Sequence, residues 1–175
     1  LSGSIRVGDS LIEDSNFAYL DHAFTWADAF PDVFAEGGFD VVLGNPPYVR
    51  QELFLGLKPY LKRRFESYHG VADLYAYFYE RGLRLLKDGG RWGYISSNTF
   101  LKNGAGKPLR QYLLREASIE RVVDFGDETV FEGVTTYPVI FTVKKSATHQ
   151  THQIRFWKVA SLPEGNFSAE WEIEH

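Results

Sequence analysis

The sequence predicts an α/β domain: a mostly parallel sheet, its last strand antiparallel, with helices on both faces. Three observations predict it. Short Val-, Ile- and Phe-rich runs alternate with stretches of helical periodicity. The run Phe39 to Leu43 is too short for a helix and rich in Val, as in a central parallel strand. The runs end on the turns Gly44-Asn45 and Ser96-Ser97-Asn98-Thr99, placed where open α/β sheets bind their ligands.

In chain order, Ser4 to Val7 predicts a short strand and Gly8 to Leu11 the turn after it. A carboxylate there can accept a hydrogen bond from a ribose hydroxyl or an adenine amine. From spacing alone, a turn cap is the simpler reading of Asp9. Residues 12–38 predict a loop with one or two short helices at the sheet edge, its aromatics serving as core, with a cofactor wall as the alternative. Residues 50–68 carry Leu53, Leu57, Leu61 and Phe65 every four residues, a helical stripe with Pro59 near a helix start. Lys58, Lys62, Arg63 and Arg64 occupy the other faces. Such a cluster is usually a solvated face, and phosphate contact is the second reading.

Asp73 to Lys87 predicts the clearest helix, N-capped by Asp73 and stopped by Asp88-Gly89-Gly90. Tyr75, Tyr79, Leu83 and Leu86 form its apolar stripe, and Leu74 and Phe78 are neighbours at i, i+4. Then follow a strand at Trp92 to Ile95, a helix at Lys107 to Glu116 and a strand at Ile119 to Phe125. A loop carrying Phe131 leads to strands at Tyr137 to Lys144 and Ile154 to Val159. The order suits the C-terminal part of a Rossmann-like sheet. The glycine-rich strand-to-helix turn that usually opens such a nucleotide-binding fold is not in the sequence.

Composition narrows the chemistry. The chain has 175 residues, no Cys and a net charge of −4. Disulfides and thiolate metal sites are excluded. The histidines, His22, His69, His149, His152 and His175, show no metal-ligand spacing, so no metal is expected. No apolar run has the length of a membrane span and no signal-peptide pattern opens the chain. A DNA-acting protein of this charge needs a local basic surface or a separate DNA-binding region. The chain has no Met and starts at Leu1, from which a cut in a longer protein is expected.

The chemistry concentrates in Asn45-Pro46-Pro47-Tyr48, directly after the strand at 39 to 43. Asn45 precedes a proline and is pushed to an extended conformation; the prolines fix φ and donate no hydrogen bond. An amine on an aromatic ring is a poor nucleophile because its lone pair is delocalised. Two acceptors, the Asn45 side-chain oxygen and the Pro46 carbonyl, can take its two N–H groups and bias the nitrogen towards tetrahedral geometry. Tyr48 can stack on the ring. No general base is needed before attack; this is catalysis by positioning. A base in duplex DNA must first be flipped out. The plain alternative is a structural turn.

The stretch Phe39 to Tyr48 resembles motif IV of the amino-methyltransferases that use S-adenosylmethionine. Trp26 with Phe30-Pro31, Gly37-Gly38-Phe39-Asp40, Asn45-Pro46-Pro47-Tyr48-Val49-Arg50, Asp73-Leu74-Tyr75, Leu85 to Gly90 and Val130-Phe131 narrow it. Together they resemble the Eco57I-type DNA adenine-N6 methyltransferases of restriction–modification and phage-defence systems, from about residue 4 to residue 145. The resemblance implies S-adenosyl-L-methionine as cofactor. It implies duplex DNA with a flipped adenine as substrate, a nuclease and a target-recognition domain as partners, fused or separate, and the cytoplasm of a bacterium or archaeon as the place of action.

It also implies roles. Asn45 and Pro46 match the acceptors of the target amine. Asn45 and Pro47 match residues close to the cofactor. Tyr48 matches the ring that stacks on the base, and Phe131 a second aromatic against it, with a loop anchor as the alternative for Phe131. Asp9 matches the acidic residue that contacts the cofactor's adenine. Leu74 and Phe78 match its apolar pocket, with core packing as the alternative. On this reading residues 1–145 are the C-terminal half of a catalytic domain, and 146–175 are a linker and the start of a following region. The cofactor's glycine-rich cradle is then upstream, and the piece alone is expected to bind cofactor weakly and not to methylate. Competing expectations are a glutamine methyltransferase, cytosine-N4 methylation, and a non-catalytic module of a restriction complex. The aromatic excursion before residue 39 and the basic segment after residue 50 argue against the first.

Overall fold

The computed structural model describes residues 4–17, 23, 25–128, 130, 137–146, 153–159 and 173–174. Its strands are β1 (Phe39–Gly44), β2 (Leu86–Ser97), β3 (Ala117–Asp124), β4 (Pro138–Lys145), β5 (Arg155–Val159) and β6 (Ile173–Glu174). They form one sheet in the order β1-β2-β4-β3-β5-β6. The pairs β1–β2 and β3–β5 are parallel; β4 is antiparallel to β2 and β3, and β6 to β5. Four strands thus share one direction and their carboxyl ends share one edge of the sheet. The strand that closes the 1–145 stretch is the antiparallel one, inserted between its predecessors.

The helices are α1 (Trp26–Ala29), α2 (Pro31–Ala35), α3 (Lys58–Arg64), α4 (Tyr75–Leu85), α5 (Thr99–Lys102) and α6 (Lys107–Glu116). The α6 span is the one the periodicity predicts, opened by Pro108 in its first turn, where a missing N–H costs nothing. The 12–38 excursion yields two short helices, whose Trp26, Phe30 and Phe34 rings surround Phe39 at the start of β1. α4 and α6 pack on each other and on β2 and β3. Gly82 lets α4 approach closely: a Cβ there would stand 2.5 Å from the Trp92 ring. Beneath it Tyr79, Trp92, Tyr94, Phe100 and Phe141 form an aromatic core, with Tyr79 and Trp92 centroids 4.6 Å apart.

Several expectations are corrected. Ser4 to Val7 is not a strand; beyond it Asp9 makes only an isolated bridge to Ala23. Ile5 and Val7 are exposed, and an extended segment without a neighbour cannot pair its backbone groups. β1 pairs only with β2, so it is an edge strand among the described residues, not a central one. Val42 faces the helical layer, but Val41 and Leu43 on the other face are 55% and 77% exposed. The stripe at 50–68 is broken: a 3-10 helix runs Gln51–Leu57, Phe54 departs from helical φ/ψ, and α3 begins only at Lys58. Leu53 therefore points to solvent.

α4 is shorter than predicted at both ends. Its cap position is Leu74, without a side-chain cap. The Asp73 carboxylate instead accepts the Gln51 N–H at 3.2 Å. At the other end Leu86 already pairs with Phe39, so strand pairing ends the helix before the glycines are reached. Gly89, at φ +79°, serves the irregular stretch of β2 between Leu86 and Arg91.

Candidate active site at the carboxyl end of β1

β1 delivers the chain to Gly44, which lies flat against the Tyr94 ring; a Cβ there would stand 3.0 Å from Cε1. The proline-rich turn follows without a cis peptide bond. Asn45 is exposed and Pro46 buried, so the turn is anchored by its proline and presents its amide outwards. Among the described residues no hydrogen bond uses the Asn45 side chain or the Pro46 carbonyl. Both acceptors are uncommitted, as the amine-binding chemistry requires.

Tyr48 is half-buried with its hydroxyl turned inwards, and among the described residues that hydroxyl has no hydrogen-bond partner. Burial, with a smaller contribution from Tyr75, pushes its pKa up to about 12. The ring is thus a neutral phenol whose use lies in its face. Next to it, at the end of β2, the hydroxyls are already paired: Tyr75 with Thr99 at 2.9 Å, Ser97 with Thr99 at 3.0 Å, and Tyr79 with Ser96 at 2.5 Å. Asn98 donates to Asp124 at 2.9 Å. This polar edge is spent on structure.

A cleft of about 220 Å³ opens beside the loop, lined by Asn45, Pro46, Pro47, Phe78, Trp26 and Tyr94. It brings the candidates Asn45, Pro46, Pro47 and Phe78 together. Ser10 also lines it, next to Asp9. Asp9 Oδ1 accepts the N–H groups of Leu11 and Ile12 at 3.0 and 3.2 Å, so Asp9 does cap its turn. Leu74 does not line the cleft; it packs on the core, and its N–H donates to Val49 O at 2.9 Å. Phe131 lies outside the described residues. Apolar walls at Pro47 and Phe78, with a carboxylate one residue from the lining, fit the adenine end of a nucleoside cofactor.

The basic segment is largely committed within the chain. Lys58 donates to Gln51 Oε1 and, at 2.7 Å, to Gly70 O. Arg64 pairs with Glu13, and Arg63 stacks over Phe17 at 5.4 Å. Lys62 is the one of the four without a hydrogen bond, ion pair or ring contact among the described residues.

Sequence reasoning missed the part played by Arg81 and Tyr94, whereas Trp26, one of the aromatics weighed as a cofactor wall, lines the cleft. Arg81 is buried, pairs with Glu13 at 2.6 Å and donates to Leu11 O at 2.8 Å, which ties the turn after Asp9 to α4. Tyr60 accepts from Glu13 N and donates to the same Leu11 O. The only signal in the sequence was an arginine inside an apolar helical stretch.

A mixed sheet whose strands β1, β2, β3 and β5 run parallel, with antiparallel β4 inserted between β2 and β3 and an acceptor-rich loop at the carboxyl end of β1, is the architecture of the S-adenosylmethionine-dependent methyltransferases. Solved structures share the fold. The Type IIL restriction-modification enzyme MmeI aligns with a TM-score of 0.60 at 19% identity, over 83% of this chain and 19% of that one. A protein from Listeria monocytogenes described as a class I S-adenosylmethionine-dependent methyltransferase aligns with a TM-score of 0.56 at 18% identity, over 69% and 36%. Within that class, residues 4–131 match the Eco57I restriction-modification methylase family, and the chain belongs to it. It is 44% identical over 109 residues to the Type II methyltransferase M.XhoI of Xanthomonas vasicola, covering 61% of this chain and 20% of that one. It is 33% identical over 149 residues to the Type II restriction enzyme and methyltransferase RM.Eco57I of Escherichia coli, covering 83% and 15%. The chain thus spans a fifth or less of the length of these relatives.

Proposed function

We propose that this chain carries the target-amine half of a DNA adenine-N6 methyltransferase site in a restriction–modification system. The observation that carries the reading is the loop at the end of β1, where Asn45 Oδ1 and the Pro46 carbonyl are free to accept and the Tyr48 ring adjoins them. S-adenosyl-L-methionine, when bound, supplies a methyl group on a positively charged sulfur. The residues of the chain do the rest. Asn45 and Pro46 each accept one N–H of a flipped adenine's N6, which aims the nitrogen lone pair. Tyr48 is assigned to stack on the base and Phe131 to be a second aromatic against it. The proton that leaves N6 becomes acidic only as the nitrogen gains positive charge, so no side chain need act as base beforehand. Pro47, Phe78 and the free oxygen of Asp9 are assigned to the cofactor's nucleoside, with Asn45 beside them in the same cleft; Leu74, which packs on the core, is not. Lys62 is the member of the basic segment best placed for a DNA phosphate.

Residues 1–145 are assigned to the C-terminal half of the catalytic domain and 146–175 to the start of a following region. The cradle for the methionine end, the target-recognition domain and any nuclease belong to other parts of the protein, which works on DNA in the cytoplasm. The exposed Val41 and Leu43, on a strand with one described edge unpaired, support a missing layer and a missing neighbour strand at β1.

The direct test is mass spectrometry of DNA from cells expressing the full methyltransferase that contains this chain. N6-methyladenine is expected; N4-methylcytosine in its place would overturn the choice of base, and neither product would overturn the activity. The isolated 175 residues are expected to bind S-adenosylmethionine weakly in calorimetry, and micromolar affinity would contradict the division of the site. Tyr48→Phe is expected to keep methylation, because stacking uses the ring face. It should also raise stability to denaturant by about 1 kcal/mol, since a buried hydroxyl without a partner costs roughly 1–3 kcal/mol.

A further inference from the structure

We infer that Asp73 is a positioning residue that clamps the Pro-Pro-Tyr loop to the start of α4, coupling the target-base side of the site to its cofactor side. The inference rests on the function proposed above for that loop. The loop is fixed at its beginning by β1 and by Gly44 against Tyr94. Its far end has no strand to hold it, because residues 45–50 are irregular. Three contacts hold that end instead. Val49 O accepts the Leu74 N–H at 2.9 Å. Asp73 Oδ1 accepts the Gln51 N–H at 3.2 Å. The Gln51 side chain in turn accepts from Lys58, which is itself anchored on Gly70 O at 2.7 Å.

The two backbone-directed bonds leave neighbouring residues, 73 and 74, and reach residues 49 and 51. They form a short splint across the loop immediately after Tyr48. Leu74 begins the helix that carries Phe78 into the cleft. The position of α4 is therefore tied directly to the segment that sets Tyr48, Pro47 and the Pro46 carbonyl. This assigns Asp73 a task that a helix cap would not have. It also gives Lys58 work inside the protein, in place of a phosphate contact.

The test compares Asp73→Ala, which removes the acceptor, with Asp73→Asn, which keeps an oxygen in the same place. In amide hydrogen exchange of the full methyltransferase, Asp73→Ala is expected to speed exchange at Gln51 and leave β2 and the middle of α4 unchanged. In the full methyltransferase it should lower kcat about 10- to 100-fold with little change in the KM for DNA, as a misplaced reacting group does. Asp73→Asn should recover most of both losses. Unchanged exchange at Gln51 would overturn the proposal. So would exchange raised equally through α4 and β2, which would make Asp73 a fold residue, or an Asn variant as damaged as the Ala variant. The exchange arm reads the clamp without any activity, so it stays decisive even if the loop proves not to bind adenine.

Discussion

Asn45→Ala in the full methyltransferase is expected to lower kcat by about 10²- to 10³-fold, roughly 2.7–4 kcal/mol of transition-state stabilisation, the scale of losing one preorganised hydrogen-bonding group. KM for DNA should change little. Asn45 is exposed and bonds to no described residue, so its removal leaves no buried group unsatisfied and opens no cavity. The loss then falls on the step in which N6 pyramidalises, because the Pro46 carbonyl alone fixes one N–H and leaves the nitrogen free to rotate. Asn45→Asp keeps an acceptor at the same place and should retain more activity than the Ala variant. Single-turnover kinetics check both. A fully active Ala variant would end the catalytic reading of the loop, whereas equal losses in kcat and binding would mean that Asn45 shapes the loop and does not take part in the step.

The loop was legible in the sequence because its chemistry is local. A proline pair dictates its own φ angles and its own lack of donors wherever it stands. The α6 bounds were legible for the same reason, through period and a proline at the start. What could not be read depends on partners far along the chain. Asp73 looks like a cap because caps are judged on the following residues, yet its acceptor is used 22 positions back, at Gln51. Glycines 89 and 90 look like a helix stop, but pairing of Leu86 with Phe39 decides the boundary first. Asp9 keeps its plainer reading, since one of its oxygens caps the turn, and the proposed cofactor role falls to the other. β1 was read as central because Val41, Val42 and Leu43 ask for cover on both faces; the chain supplies it on one. Of the basic cluster, only Lys62 keeps, among the described residues, the freedom that a sequence assigns equally to all four.

Glu80→Ala is expected to cost about 3–5 kcal/mol, the range for removing one partner of a buried pair. That would be the largest stability loss among the substitutions considered. Glu80 sits inside α4 with none of its side chain exposed. Its carboxylate accepts the Glu66 N–H at 3.1 Å and the Ser67 N–H at 2.7 Å, and pairs with Arg84 one turn on. The first two bonds matter most. They close the turn that follows α3, where Ser67 is fully buried and water cannot replace the lost acceptor. The buried Ser67 N–H left alone costs roughly 1–3 kcal/mol. Arg84 is 36% exposed and stacks on Phe65 in any case, so Arg84→Ala should cost much less. Glu80→Gln should fall between the two: an amide has one oxygen, and its NH₂ would face the second backbone donor. Urea denaturation of the three variants separates the causes. Equal losses for Glu80→Ala and Arg84→Ala would make the ion pair the dominant contribution. The expected order, with Glu80→Ala well below Glu80→Gln and Arg84→Ala close to the parent, would show that the carboxylate is kept in the core to satisfy the backbone between the helix that carries Tyr60 and the helix that carries Phe78 into the site.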